Sequence, residues 1–379
     1  MKSILKFLFL AALVFGAYCC SPKGDGSVSE VMVNGSKMYQ FSLNNLKSDT
    51  TTILLSSLVE DCVLIQLEDK DEAFSKPWFT TVTEKYIGVR SQGDPYKLFN
   101  RSGKFLCTVG SVGRGPGEYR APYDDIIDEK NGLIYMSLFS GDRILVFNTS
   151  GKFVKEIVSP QRLQKPKIFL SEDILTVVHM PFENDKAVAI QFNVNTGEVL
   201  KELAPPAHLI VQSFDGEIFN TRNASGIFDF VHTGSDTLYH FDVKNNKILP
   251  IFTMSFISSE KPYKQYFQLN KDIILTNVYG KGLVATDLKN KTSSWVKVVN
   301  DYYGNIPAPT YVVQLRNGYW VFNREPELLM TEIEKRLSQK SCTESDREIL
   351  NKTLSTLKEE TNNVVFIGKL KSEVKTKLW

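Results

Sequence analysis

Short runs rich in Val, Ile, Phe and Tyr, broken by Gly, Asn and Asp turns, recur along the chain from residue 60 onward. Turn-punctuated apolar runs of this kind are an all-β signal. Their spacing of about 40–50 residues is the period of propeller blades. Helical periodicity is confined to one stretch near the C-terminus, which begins at Pro326. Together these observations predict an all-β fold, a six-bladed β-propeller with a helical hairpin inserted in the last blade.

The chain begins with an address. Lys2 and Lys6 precede an apolar run of 12 residues, Phe7 to Tyr18. That run is too short to span a bilayer but has the form of a signal-peptide core. Gly16-Ala17-Tyr18-Cys19-Cys20-Ser21 follows at its end. A cysteine directly after such a run resembles the lipobox of bacterial lipoproteins, in which the thiol takes a lipid and becomes the mature N-terminus. Cys20, with the compact Cys19 before it, is the better acceptor, and Cys19 is the alternative. Residues 1–19 are therefore read as a signal peptide and residues 20–35, with Pro22, Gly24 and Gly26, as a flexible tether. Residues 36–379 are assigned to the propeller.

The clearest blade runs through Ile126-Ile127-Asp128, Leu133 to Met136, Arg143 to Phe147 and Lys152 to Ile157, and the unit from Tyr86 to Val109 echoes it. Further units contain Ile174 to Val178, then Leu209 to Val211 with Phe228 to Val231, then Tyr266 to Leu269, then Tyr311 to Leu315. Val63 to Leu67 is placed as the outermost strand of the last blade, which closes the ring and removes an exposed sheet edge. Within that blade, residues 326–361 read as the helical insertion. Pro326 suits a first helical turn, Leu329, Ile333 and Leu337 fall at i, i+4 and i+8, and Ser345 with Glu348 forms a capping box before Leu350, Leu354 and Leu357.

Charge excludes one class of function. Lys and Arg number 45 against 43 Asp and Glu, and the signal peptide removes Lys2 and Lys6, which leaves the mature chain balanced at 43 to 43. Nucleic-acid binders carry a basic footprint that is missing here. Beyond Cys19 and Cys20 the cysteines are Cys62, Cys107 and Cys342, with no zinc-type spacing, and Cys62 and Cys107, in apolar strand-like stretches, read as small buried hydrophobes.

Gly110-Ser111-Val112-Gly113-Arg114-Gly115-Pro116-Gly117-Glu118-Tyr119, then Pro122 and the clearest blade, resembles the exported bacterial six-bladed β-propeller lipoproteins of NHL/TolB-like type. Gly117, Tyr119, Pro122, Asp128, Gly132, Arg143, Ile144, Val146, Phe147 and Gly151 match the NHL repeat, from which Met136-Ser137-Leu138 departs. Asp236 to Tyr239 with Leu249-Pro250 is similar to the fourth blade of that family. The resemblance implies fold and location rather than an activity. It also makes Arg143 a buried bridge between blades.

The Gly-rich segment is not a phosphate cradle, because a strand follows it in place of a helix N-terminus. It reads as an inter-blade connection that presents Arg114, Glu118, Tyr119, Arg120, Tyr123 and Asp124 to a ligand on one face of the ring. His179, His208, His232 and His240 show no metal-binding pattern, and neither metal nor cofactor is expected. No Gly-x-Ser-x-Gly elbow is present, and no catalytic residue is assigned. Tyr302, Tyr303 and Trp78 are loop aromatics suited to sugar stacking. The function expected is therefore that of a monomeric cell-envelope lipoprotein, on the outer membrane or facing the periplasm, which binds a glycan, peptide or partner protein without catalysis. A hydrolase or lyase acting on carbohydrate at the propeller axis is the alternative.

Overall fold

The computed structural model describes residues 27–372 apart from 47–48, 78, 92, 225–226, 233–234, 256–262 and 309–313. Six antiparallel blades surround an axis. Blade 1 comprises Phe79–Val82, Tyr86–Arg90, Tyr96–Asn100 and Phe105–Val109. Blade 2 comprises Pro122–Asp128, Leu133–Leu138, Ser140–Asn148 and Phe153–Gln164, and blade 3 Lys167–Ser171, Ile174–Val178, Ala189–Asn193 and Val199–Leu203. Blade 4 contains Ile218–Ala224, Ile227–His232, Thr237–Asp242 and Lys247–Ser255; blade 5 contains Lys264–Gln268, Ile273–Val278, Gly282–Asp287 and Thr292–Asn300. Blade 6 takes Gln314–Arg316, Tyr319–Arg324 and Val364–Lys369 from the C-terminal part, and Val63–Gln66 from the N-terminal part. That last strand pairs antiparallel with Val364–Lys369, Val364 opposite Gln66, so the ring closes as expected.

Apolar burial is divided over the seams between neighbouring blades. Tyr96, Leu98, Met136 and Phe147 pack between blades 1 and 2, Phe169, Val178, Phe228 and Tyr239 between blades 3 and 4, and Val82, Val89, Val321 and Ile367 between blades 6 and 1. Each sheet buries both faces, which is why its middle strands read as continuous Val/Ile/Leu/Phe runs. A repeated turn fixes the outer edges. Asn100 and Asn148 each accept hydrogen bonds through Oδ1 from the serine two residues on and from the lysine four residues on. The glycines of these turns, Gly103 (φ +84°) and Gly151 (φ +82°), press against the preceding blade in the ring. A Cβ on them would lie 2.1 Å from the Gln66 carbonyl oxygen and 2.2 Å from that of Thr108.

Four expectations need correction. Residues 28–33 are not tether: Val28–Val33 pairs with Ser36–Ser42, which lies parallel to the outer strand of blade 4. Thr50–Leu54 likewise extends blade 5 in parallel. The alternation of Val28, Met38 and Phe41 becomes meaningful only when the edge of blade 4 is there to cover it. Leu209–Val211 is no inner strand, since Ala207–Leu209 is a single 3-10 turn and the inner strand is Ile218–Ala224. Its sequence turns polar after Ile218 and Phe219, and so gives only a short apolar signature. Arg143 is half exposed and pairs with Glu156 at 3.0 Å and Asp142 at 3.3 Å. The register of its strand shifts between Gly141 and Arg143, and the side chain faces outward.

The fourth correction concerns the helical insertion, α1 (Pro326–Leu337) and α2 (Glu344–Leu354), which lies between two strands of blade 6 as expected. The capping box is formed by Thr343 and Asp346 and not by Ser345 and Glu348. Asp346 also pairs with Arg336 of α1 at 2.8 Å, a second bond that ties the helices together. Leu329, Ile333 and Leu350 are buried with Phe267, Trp320 and Phe366, so the hairpin covers the seam between blades 5 and 6.

Candidate functional site

The six residues expected on one face separate into three environments. Arg114 and Arg120 are exposed. Glu118 folds back on its own loop, its Oε2 accepting from the backbone N–H groups of Gly115 (2.7 Å) and Arg114 (2.8 Å). Those two amides hold its carboxyl below the usual range. The carboxylate lies so close to Gly113 that a Cβ there would sit 1.9 Å from Oε2, which explains a glycine with ordinary backbone angles at that position. Tyr119 is buried, its hydroxyl donating to the Val109 carbonyl and accepting from the Tyr96 N–H. Tyr123 and Asp124 leave this loop and reach the propeller axis.

At the axis the inner strands converge near their first residues. Phe79, Asp124, Lys167, Asn220 and Gln265 occupy the first to third positions of the inner strands of blades 1 to 5. The polar cluster therefore sits at the end of the ring where the inter-blade connections enter. Farther along the axis the inner strands of blades 4 and 6 pair with each other in parallel, Asn223 opposite Arg316. Arg316 spans back across the axis. Its Nη1 donates to Asp124 Oδ1 (3.0 Å) and Thr81 Oγ1 (3.3 Å), and its Nη2 donates to the Asp125 carbonyl (2.5 Å). Arg90 Nε lies 3.4 Å from Asp125 Oδ1, and its guanidinium stacks on Phe79 at 4.6 Å.

Asp124 and Asp125 are adjacent in sequence, and strand alternation sends them to opposite sides. Asp124 accepts from the Ile168 N–H (2.9 Å) and Asn220 Nδ2 (3.3 Å) as well as from Arg316. Burial pushes its carboxyl up, but Arg316, Lys167 and Arg90 outweigh burial and hold it below the usual range. Asp125 turns toward blade 1 and accepts from the Tyr96 hydroxyl (2.9 Å). Lys167 is buried with its ammonium over the ring of Tyr123 at 4.0 Å. Burial lowers its pKa to about 8, against the pull of Asp124.

The mouth of this channel is rimmed by aromatic rings. Phe139, Phe214, Tyr263 and Tyr279 are 41 to 58% exposed, high values for such side chains. Phe139 packs edge-on against Tyr123 (5.6 Å) and lies over the Lys165 ammonium (5.4 Å). The Phe214 carbonyl accepts from Lys165 Nζ (2.8 Å), and its ring packs on Phe182 (4.6 Å). Lys165 also pairs with Glu217 (2.8 Å), whose carboxylate accepts from the Tyr123 hydroxyl. Glu217 is close enough to Tyr263 for its charge to help burial raise that phenol.

Other sequence candidates lie elsewhere. The Tyr303 hydroxyl accepts from the Leu64 N–H (2.8 Å) and that of Tyr302 donates to the Glu60 carbonyl (3.2 Å), so both hold the closing segment of blade 6. Trp78 lies outside the described residues, as do Cys19 and Cys20. His179 is buried within 2.7 Å of the Ala187 carbonyl, His240 pairs with Asp229 at 2.6 Å, His232 is buried in blade 4 and His208 sits in the turn before it. Among the described residues no three His, Cys, Asp or Glu side chains converge into a group that could hold a metal ion. Sequence reading missed Arg90, Lys167, Arg316, Phe139 and Phe214. The available signal was a charged residue at a strand end, first in Lys167–Ser171 and last in Tyr86–Arg90 and Gln314–Arg316, and along one sequence it looks the same as a solvated surface residue.

A closed ring of six blades, with ionic side chains meeting on its axis below an aromatic rim, defines a six-bladed β-propeller. The chain belongs to the family described as "Domain of unknown function (DUF4934)", whose sequence model matches residues 38–369. No curated protein matches it. Among solved structures it is similar to the "Putative exported protein" from Bacteroides fragilis NCTC 9343, with a TM-score of 0.58 and 14% identity over 85% of this chain and 100% of that one. A member of the DUF4221 family from Bacteroides vulgatus ATCC 8482 aligns over 92% of this chain and 100% of that one, with a TM-score of 0.44 and 11% identity. The first likeness supports the propeller fold. No described helix is long and apolar enough to cross a membrane.

Proposed function

We propose that the protein is an exported, lipid-anchored, monomeric binding module of the bacterial cell envelope, of NHL/TolB-like type, which captures a glycan on the face where the inter-blade connections converge. The observation that carries this reading is the rim of exposed Phe139, Phe214, Tyr263 and Tyr279 around the polar pair Lys165 and Glu217. Flat apolar rings beside hydrogen-bonding groups match the two faces of a pyranose, one of C–H groups and one of hydroxyls. Binding is favoured over hydrolysis because Asp124 and Asp125 are both engaged by buried donors, and a general acid or base needs a carboxyl free to exchange its proton. The lipid anchor rests on Cys20, or Cys19, directly after the apolar run.

A glycan array probed with the mature protein tests the reading. Phe139→Ala with Phe214→Ala is expected to abolish glycan capture while leaving the melting temperature within about 2 °C, because both rings are about half exposed at the surface. Capture that survives the double substitution would refute the rim as the binding surface. Replacing Cys19 and Cys20 together by Ser is expected to move the protein from the membrane fraction to the soluble fraction.

A further inference from the structure

The rim explains contact with a sugar ring but leaves the charges beneath it unaccounted for. A cavity of about 50 Å³ lies on the axis among Phe79, Arg90, Asp124, Lys167, Asn220 and Arg316. Three cations, Arg90, Lys167 and Arg316, are buried there with two carboxylates, Asp124 and Asp125. The cluster therefore carries one uncompensated positive charge, and burying a charge without a partner is costly. Neither acid hydrogen-bonds Lys167, which feels Asp124 through charge alone. Asp124 is taken by Arg316, the Ile168 N–H and Asn220, and Asp125 by Tyr96 and Arg90.

Lys167 is 6% exposed and its ammonium makes no hydrogen bond to a described residue. Its contacts are the rings of Tyr123 at 4.0 Å and Phe79 at 5.7 Å. The Nε–H group of Arg316 is also buried without a hydrogen bond. The nearest further acid, Glu217, is held at the mouth by Lys165 and the Tyr123 hydroxyl. Lys167 and Arg316 thus border a small space, each with N–H capacity that the two acids leave unused.

We propose that this cavity receives the carboxylate of an acidic sugar, its oxygens accepting from Lys167 Nζ and from the unused Nε–H of Arg316. The volume holds a few water-sized groups and no pyranose ring, so the charged head enters while the ring stays at the mouth against Phe139 and Phe214. The inference rests on the glycan reading for the ring and on the axial charges for the carboxylate. A charge-assisted contact in a dry cavity supplies the discrimination between an acid and its neutral ester.

Isothermal titration calorimetry of the mature full chain tests this with uronate oligosaccharides, their methyl-esterified counterparts, and acetate. The wild type is expected to bind a uronate oligosaccharide at least tenfold more tightly than its ester. In Lys167→Met and Lys167→Gln, with the fold verified by circular dichroism, that ratio is expected to fall below about twofold while the ester keeps its affinity. Equal affinity for acid and ester in the wild type, or a preference that survives both substitutions, overturns the carboxylate site and leaves the glycan reading standing. Acetate binding that depends on Lys167, with no oligosaccharide bound, keeps the carboxylate site and removes the sugar. No binding of any probe, acetate included, overturns both.

Discussion

Lys167→Met is expected to make the protein more stable. The substitution replaces a buried ammonium with a side chain of similar length whose thioether packs on the Tyr123 ring. The fall of the Lys167 pKa from 10.5 to about 8 measures how much worse the charged form fares in the folded protein. At about 1.4 kcal/mol for each tenfold change in a protonation equilibrium, that cost is about 3 kcal/mol. Losing the ammonium's contact with Tyr123 returns about 1 kcal/mol, so the net gain is about 2 kcal/mol. With about 2.1 cal/mol/K per residue, the unfolding entropy of residues 27–372 is about 0.7 kcal/mol/K, and the melting temperature rises by about 3 °C. Differential scanning calorimetry at pH 7 measures this directly. Below pH 8 both folded and unfolded Lys167 are protonated and the wild type bears the full cost. Between pH 8 and 10.5 the folded side chain releases its proton first, so the wild type gains stability and the gap closes. A melting temperature that falls in the variant, or a gap that stays constant up to pH 10.5, refutes the reasoning. A residue retained at a cost to stability is what a binding site produces.

Two further outcomes test the frame around the site. Gly151→Ala places a Cβ at a φ of +82° and 2.2 Å from the Thr108 carbonyl oxygen, whereas Gly197→Ala places one at +78° in open space. Urea denaturation is expected to show a loss of about 1 kcal/mol for Gly197→Ala and at least about 2 kcal/mol more for Gly151→Ala; equal losses would mean that the blade edges are not in contact. His240 is held above its ordinary pKa by its hydrogen bond to buried Asp229. Its contribution is full below pH 6.5 and is lost as pH rises through the raised folded value. The stability of the wild type relative to His240→Gln is therefore expected to decline from pH 6 to pH 8, and a difference independent of pH would count against the pair.

Legibility in the sequence followed burial. Leu133 to Met136 and Arg143 to Phe147 announced blade 2 because both faces of that sheet are covered and the strands must be apolar throughout. The closing strand Val63–Gln66 and the hairpin of α1 and α2 were readable for the same reason, since Leu329, Ile333 and Leu350 keep a helical period against the core. The inner strand Ile218–Ala224 turns polar after Ile218 and Phe219, and so short an apolar run gives a weak strand signal. Of the six candidate ligand residues, Tyr123 and Asp124 reach the axis because the chain enters the inner strand of blade 2 there. Tyr119 is spent on the backbone of blade 1.

By itself the sequence determined the all-β class, the number of blades, the insertion in the last blade and the balance of charge, because each is written in local pattern or in composition. Only the tertiary structure decided what meets on the axis. Arg90, Asp124, Lys167 and Arg316 come from four strands spread over more than 200 residues, and the ring brings them within a few ångströms of one another. Whether a lysine is solvated or buried depends on groups that closure places opposite it, and no local pattern records them.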